Sequence, residues 1–114
     1  METHTPEPAD EAMVAEHADV AGSLVLDVRR TGAFEQATTQ LPAATWRDPA
    51  HVTQWAASVP RDRPVTVYCV HGHEVSRNTA QQLRGLGVNA RYLRGGIEGW
   101  HEAGMPVVPK LDRP

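Results

Sequence analysis

The stretch from Val65 to Ala80 constrains this chain more than any other. Val65-Thr-Val-Tyr-Cys69 is a β-branched and aromatic run that ends on the only cysteine. A short loop with Gly72, His71 and His73 follows, and a helical pattern opens at Ser76. An almost unbroken apolar run of this kind suits a strand covered on both faces, which is the habit of parallel sheets. A second such run, Leu24-Val-Leu-Asp-Val28, ends in Asp27, Arg29 and Arg30. Two buried strands separated by helical stretches predict an α/β fold: a small, mostly parallel sheet with helices on both faces.

The rest of the chain is read around those two strands. Met13, Val14, Ala15 and Ala18 recur at helical spacing within Glu11–Asp19, and Gly22-Ser23 breaks the pattern. Thr31 opens a brief helix through Phe34 and Ala37, and Ala43-Ala-Thr-Trp46 reads as a short strand. Asp48-Pro49 is a helix start, since the aspartate caps free amides where proline has none to lose. Val52, Trp55, Ala56 and Val59 continue that helix to Pro60. Ala80, Leu83 and Leu86 mark the helix after Cys69, Val88–Leu93 is a strand, and Ile97–Ala103 is a last short helix. Met105-Pro-Val-Val-Pro109 is too rich in proline for a helix and is expected to run over the surface. The polar residues 1–10 read as a flexible tail, residues 11–110 as the domain, and residues 111–114 as a short tail.

With 114 residues, the chain is expected to bury roughly 65% of its unfolded surface as one domain. One cysteine cannot form an internal disulfide, and no leader-like apolar run opens the sequence, so the reducing cytoplasm is the expected compartment. No apolar stretch is long enough to span a membrane. A net charge of -3 argues against nucleic acid and leaves small molecules or proteins as expected partners.

Ligands of open α/β sheets collect beyond the carboxyl ends of strands, which is where Cys69 falls. Amides of a loop curling from Val70 to Val75 toward Ser76, together with a helix amino terminus, make a field that favours thiolate over thiol. Gly72 supplies the positive φ that such a loop needs.

Four segments together resemble the rhodanese family: Leu24-Val-Leu-Asp27-Val28-Arg29; Val67-Tyr-Cys69 with Gly72; Tyr92-Leu-Arg-Gly95-Gly96-Ile-Glu-Gly-Trp100; and Gly104-Met-Pro106. The resemblance spans about residues 20–108. It implies a five-stranded parallel sheet between helices. It also implies a catalytic Cys69 that carries a persulfide from a sulfur donor, such as thiosulfate or a thiol or protein persulfide, to a thiol or cyanide acceptor, with no cofactor.

Around Cys69, the active-site loop is taken as Val70, His71, Gly72, His73, Glu74, Val75 and Ser76. It is expected to be one residue longer than is common in the family, and it carries an acid, Glu74, where a small or basic residue is usual. Longer loops belong to rhodanese-fold phosphatases and arsenate reductases, which close the loop with an arginine. Val75 stands at that position here, and phosphoryl transfer depends on charge neutralisation. An oxyanion enzyme, such as a phosphatase or an arsenate or chromate reductase, is thus the alternative. A non-catalytic module that senses oxidants or binds a partner is the further one. Cys69, His71 and His73 alternate like soft ligands, but one tight loop rarely supplies a tetrahedral site, so no metal is expected. One of these histidines is a candidate proton carrier. Arg47, and after it Arg77, are candidate substrate-binding arginines. Asp27 and Arg29 are expected to support the loop as an ion pair.

Overall fold

The computed structural model describes residues 13–110, so both predicted tails lie outside the described residues. Five strands form one parallel sheet: β1 (Val14–Ala15), β2 (Leu24–Asp27), β4 (Thr45–Trp46), β5 (Val65–Tyr68) and β6 (Ala90–Leu93), in the order β1-β6-β5-β2-β4. β5 is central, with Leu24 beside Val65 and Asp27 beside Tyr68 on one flank, and Val65 beside Ala90 on the other. The expected α/β architecture is what the chain adopts.

Alternation along the strands divides the core into two layers. Leu26, Val65 and Val67 point to one face, where they meet Val52, Ala56, Ala80 and Leu83. Those residues come from α2 (Val52–Trp55), the 3-10 turn after it, and α3 (Glu74–Gly85). Val25 and Tyr68 point to the other face and pack with Val20, Leu41, Leu93, Ile97 and Trp100. The covering elements there include a 3-10 turn, His17–Gly22, and α4 (Gly96–Glu102). The brief α1 (Thr31–Gln36) lies at the carboxyl end of β2 and buries Phe34.

Four local readings are corrected. Within the span read as a helix from Glu11 to Asp19, Val14–Ala15 is an edge strand beside β6, and a 3-10 turn follows. Met13 and Ala15 are buried and Val14 is half-buried, a period of two, and the amides of Tyr92 and Arg94 donate to the Met13 and Ala15 carbonyls at 2.7 and 3.0 Å. Pairing with β6 thus overrides the local helical spacing. The helix expected from Asp48 is there, but 3-10 turns at Pro49–His51 and Ala56–Ser58 flank its α segment, with the Asp48 carboxylate accepting from the Ala50 amide at 2.9 Å. The proline-rich end does not merely cross the surface: β7 (Val108–Pro109) pairs antiparallel with β3 (Thr39–Gln40). Edge strands tolerate proline because one side needs no amide.

The fourth correction touches the site. The helix after Cys69 opens at Glu74, so Glu74, Val75 and Ser76 are its first turn rather than loop, and the loop is no longer than four residues. Gly72 at φ 75° turns the chain early, and a glutamate in the first turn complements the positive end of the helix.

Candidate active site

Cys69 leaves β5 at the carboxyl edge of the sheet and is 6% exposed. Its Sγ donates to the Ser76 Oγ at 3.1 Å. Ser76 is fully buried in the first turn of α3, so the sulfur stands at the mouth of that helix. The Arg77 amide returns to the His73 carbonyl at 3.0 Å, whereas the amides of Glu74, Val75 and Ser76 precede the helical ladder and stay outside it. An anion on the sulfur would meet these donors and the positive helix end.

The loop is held from behind by α4. The Ile97 and Glu98 amides each donate at 3.0 Å, to the carbonyls of Cys69 and Val70 respectively. Gly72 and Gly96 make this approach possible. A Cβ on Gly96 would lie 2.5 Å from the Gly72 nitrogen and 2.6 Å from the Cys69 oxygen; one on Gly72 would lie 2.6 Å from the Gly96 nitrogen. Both glycines have positive φ, 75° and 61°. With those carbonyls engaged by α4, they are turned away from solvent competition. The Gly95-Gly96 pair was visible in the sequence only as a turn and as part of the family pattern; its grip on the cysteine loop needed the fold.

A cleft of about 210 Å3 opens over Cys69, lined by Val70, His71, His73, Glu74 and Val75 from the loop and helix and by Arg29, Arg30 and Ala33 opposite. Of the predicted arginines, neither Arg47 nor Arg77 is among these lining residues. Arg47 donates its backbone amide to the Asp27 carbonyl at 2.9 Å, and Arg77 lies beyond the first turn of α3. The arginine that sequence reasoning missed is Arg30, an exposed residue just before α1. Its position at the end of β2, next to the strand that carries Cys69, was the available signal.

Asp27 and Arg29 form a buried, two-pronged ion pair: Arg29 Nε donates to both Asp27 oxygens at 2.9 and 3.1 Å, and its Nη2 bonds Oδ2 and, at 3.1 Å, the Thr39 carbonyl. Tyr68 donates its hydroxyl to Asp27 Oδ2 at 3.0 Å and accepts from the Leu41 amide at 3.2 Å. Burial, reinforced by the Asp27 charge, pushes the Tyr68 phenol well above its ordinary range. Burial alone would lower the Arg29 guanidinium, but hydrogen bonds and charge from Asp27 hold it above its usual value. His71 turns outward, its Nδ1 3.2 Å from Glu98 Oε1, with both side chains more than half exposed. Among the described residues, no three His, Cys, Asp or Glu side chains are grouped to hold a metal ion. The tryptophan indoles all bond carbonyls: Trp46 to Arg29, Trp55 to Asp48 and Trp100 to Pro106.

The rhodanese-like domain model matches residues 9–103 of the chain. The chain belongs to the rhodanese-like domain family. A rhodanese-related protein from Thermoplasma volcanium is 27% identical, covering 83% of this chain and 96% of that one with a TM-score of 0.72. A rhodanese-like domain protein from Staphylococcus aureus is 17% identical, with coverages of 88% and 98% and a TM-score of 0.70. A Rhodopseudomonas palustris protein of unknown function, described as a possible tyrosine phosphatase, is 19% identical, with coverages of 95% and 98% and a TM-score of 0.70. The last two likenesses carry the fold alone. Among the described residues of this rhodanese-like domain, no helix is long and apolar enough to cross a membrane.

Proposed function

We propose that this rhodanese-like domain is a sulfurtransferase that carries sulfane sulfur as a Cys69 persulfide. One observation carries the reading: the cysteine sulfur stands at the mouth of α3, 3.1 Å from the buried Ser76 hydroxyl, under a cleft with room for a small donor. In the first step the Cys69 thiolate attacks the outer sulfur of a donor RS–SH. The donor S–S bond breaks, its electron pair leaves on RS⁻, and a new S–S bond forms at Cys69. In the second step an acceptor thiolate or cyanide takes the outer sulfur and returns the Cys69 thiolate. The two displacements balance without an outside oxidant or reductant.

The amides of Glu74, Val75 and Ser76, with the Ser76 hydroxyl, stabilise negative charge on either sulfur. The Glu74 carboxylate lies on the cleft wall, where it opposes a dianion such as thiosulfate and tolerates a thiol persulfide better. Val75 offers no charge to clamp a phosphoryl group. Arg30 is the cation on the opposite wall that is not committed to Asp27. His71 and His73, on the same wall as Glu74, are open to solvent and suited to exchanging protons with a leaving or arriving thiol.

The test is mass spectrometry after incubation with thiosulfate and with a low-molecular-weight persulfide. Wild-type protein is expected to gain one sulfur on Cys69, and Cys69→Ser none. Wild-type protein left unmodified by every donor overturns the proposal. Turnover of an aryl phosphate, arsenate or chromate without sulfur loading would transfer the site to oxyanion chemistry.

A further inference from the structure

The helix that faces Cys69 across the cleft is short and poorly capped by its own sequence. α1 has six residues, Thr31–Gln36, where an isolated helix needs about 12–15 to be even marginal in water. Its N-cap, Arg30, makes no side-chain capping bond, and its last turn holds no basic residue. Yet Arg30 and Ala33 are wall residues of the cleft. Contacts from elsewhere must therefore hold α1 in place. One is apolar: Phe34 is buried and stacks on Trp46 with ring centroids 4.9 Å apart.

Another comes from Lys110. Its Nζ donates to the Phe34 and Glu35 carbonyls at 2.5 and 3.2 Å and lies 4.3 Å from the centre of the Phe34 ring. Those carbonyls belong to the end of α1, where the negative pole of a helix favours a cation. The charge that the last turn lacks thus arrives from 75 residues downstream of Glu35. The backbone makes this reach possible. β7 pairs with β3, and the Lys110 amide donates to the Thr38 carbonyl at 2.9 Å, just past the end of α1.

We infer that Lys110 is a positioning residue for the Cys69 cleft: by capping α1 it fixes Arg30, the cation that meets an incoming anion, in the cleft wall. The link is continuous. Lys110 holds the Phe34 carbonyl, and the Phe34 amide donates to the Arg30 carbonyl at 2.8 Å, so one residue joins the lysine to the arginine. A helix this short has no interior turns to keep it in register once an end frays. Arg30 is exposed, so loss of the cap returns it to water and leaves the Glu74 carboxylate on the other wall unopposed. The inference goes beyond sulfur transfer, since it concerns any anion that approaches the Cys69 sulfur.

The experiment alkylates Cys69 in the full-length protein with iodoacetate, an anion, and with iodoacetamide, its neutral counterpart, and takes the ratio of the two rates. A general loosening that uncovers the sulfur raises both rates and cancels in the ratio. Lys110→Met keeps an apolar stem over Phe34 without the charge, and is expected to lower the ratio about threefold, the scale of one partly screened charge. Arg30→Gln should lower it by a similar factor. The double variant should fall no further than Arg30→Gln alone, because the lysine acts through the arginine. Lys110→Arg, which keeps a charge and N–H donors, should hold the wild-type ratio. Lys110→Gln repeats the cycle where the methionine variant yields too little folded protein. An unchanged ratio in either single variant overturns the inference, and so do falls that simply multiply in the double variant, which would mean that Lys110 acts by its own field. Sulfur loading of Cys69 enters none of these readouts, so failure of every sulfur donor overturns the sulfurtransferase reading and leaves the role of Lys110 to the alkylation ratios.

Discussion

β2 and β5 run side by side in register, Asp27 beside Tyr68, yet their polar ends are in opposite conditions. At the end of β2 the buried charges are committed: Asp27 holds Arg29 with two prongs and accepts from Tyr68, while Arg29 also bonds the Thr39 carbonyl. One residue past the end of β5, Cys69 has one side-chain hydrogen bond, to Ser76, and a cleft above it. The saturated end is scaffolding for the open one. Tyr68, the residue just before the cysteine, donates its hydroxyl to Asp27, so the charge pair anchors the end of the strand that leads to Cys69.

Breaking the saturated end should have the largest effect on stability. Asp27→Asn removes the counter-charge of a buried guanidinium and is expected to cost about 3–5 kcal/mol, read as a lower urea midpoint with an unchanged slope. Gly96→Ala attacks the hold on the reactive end. Its Cβ would meet backbone at 2.5 Å at a positive φ, so at least about 2 kcal/mol is expected to be lost. Sulfur loading of Cys69 should then fall more steeply than in an equally destabilised variant of the distant core.

Tyr68→Phe separates the two ends more gently. Losing a hydroxyl that serves both Asp27 and Leu41 is expected to cost about 1–2 kcal/mol, and it also has a pH signature. The folded phenol ionises above its ordinary value, so the unfolded chain loses its proton first as pH rises through about 10. Unfolding free energy therefore declines above that pH, by up to about 1.4 kcal/mol per unit from this group. Urea titrations from neutral to alkaline pH should show a shallower decline in the phenylalanine variant. Glu74→Arg is the smallest change. With the repelling carboxylate gone from the cleft wall, thiosulfate kcat/KM should rise a few-fold, and a fall would assign Glu74 a positive part in transfer.

The sheet was legible because its central strands are nearly continuous apolar runs separated by helical stretches, the pattern of a parallel α/β layer. The places of Cys69 at the end of β5 and of Gly72 in the turn before α3 were legible for a related reason: strand, glycine and helix follow one another within a few residues. Edges were less legible. Val14–Ala15 shows helical spacing locally and becomes a strand only because β6 offers it hydrogen bonds. The true start of α3 at Glu74 depends on the turn at Gly72, which spacing alone does not reveal. Among the arginines, sequence reasoning ranked Arg47 first, but the cleft wall holds Arg29 and Arg30, which lie in the short link between β2 and α1, across the cleft from Cys69.

The interlock of Gly72 with Gly96 has a consequence in time as well as in space. The carbonyls of Cys69 and Val70 find their partners only in Ile97 and Glu98, nearly thirty residues downstream and past a complete helix and strand. Until β6 has added to the sheet and α4 has turned back against it, the loop has only its local turn and the contacts to the first turn of α3 to shape it. In a nascent or partly folded chain those two carbonyls lack these partners, and the cysteine loop is fully bonded only once α4 is in place.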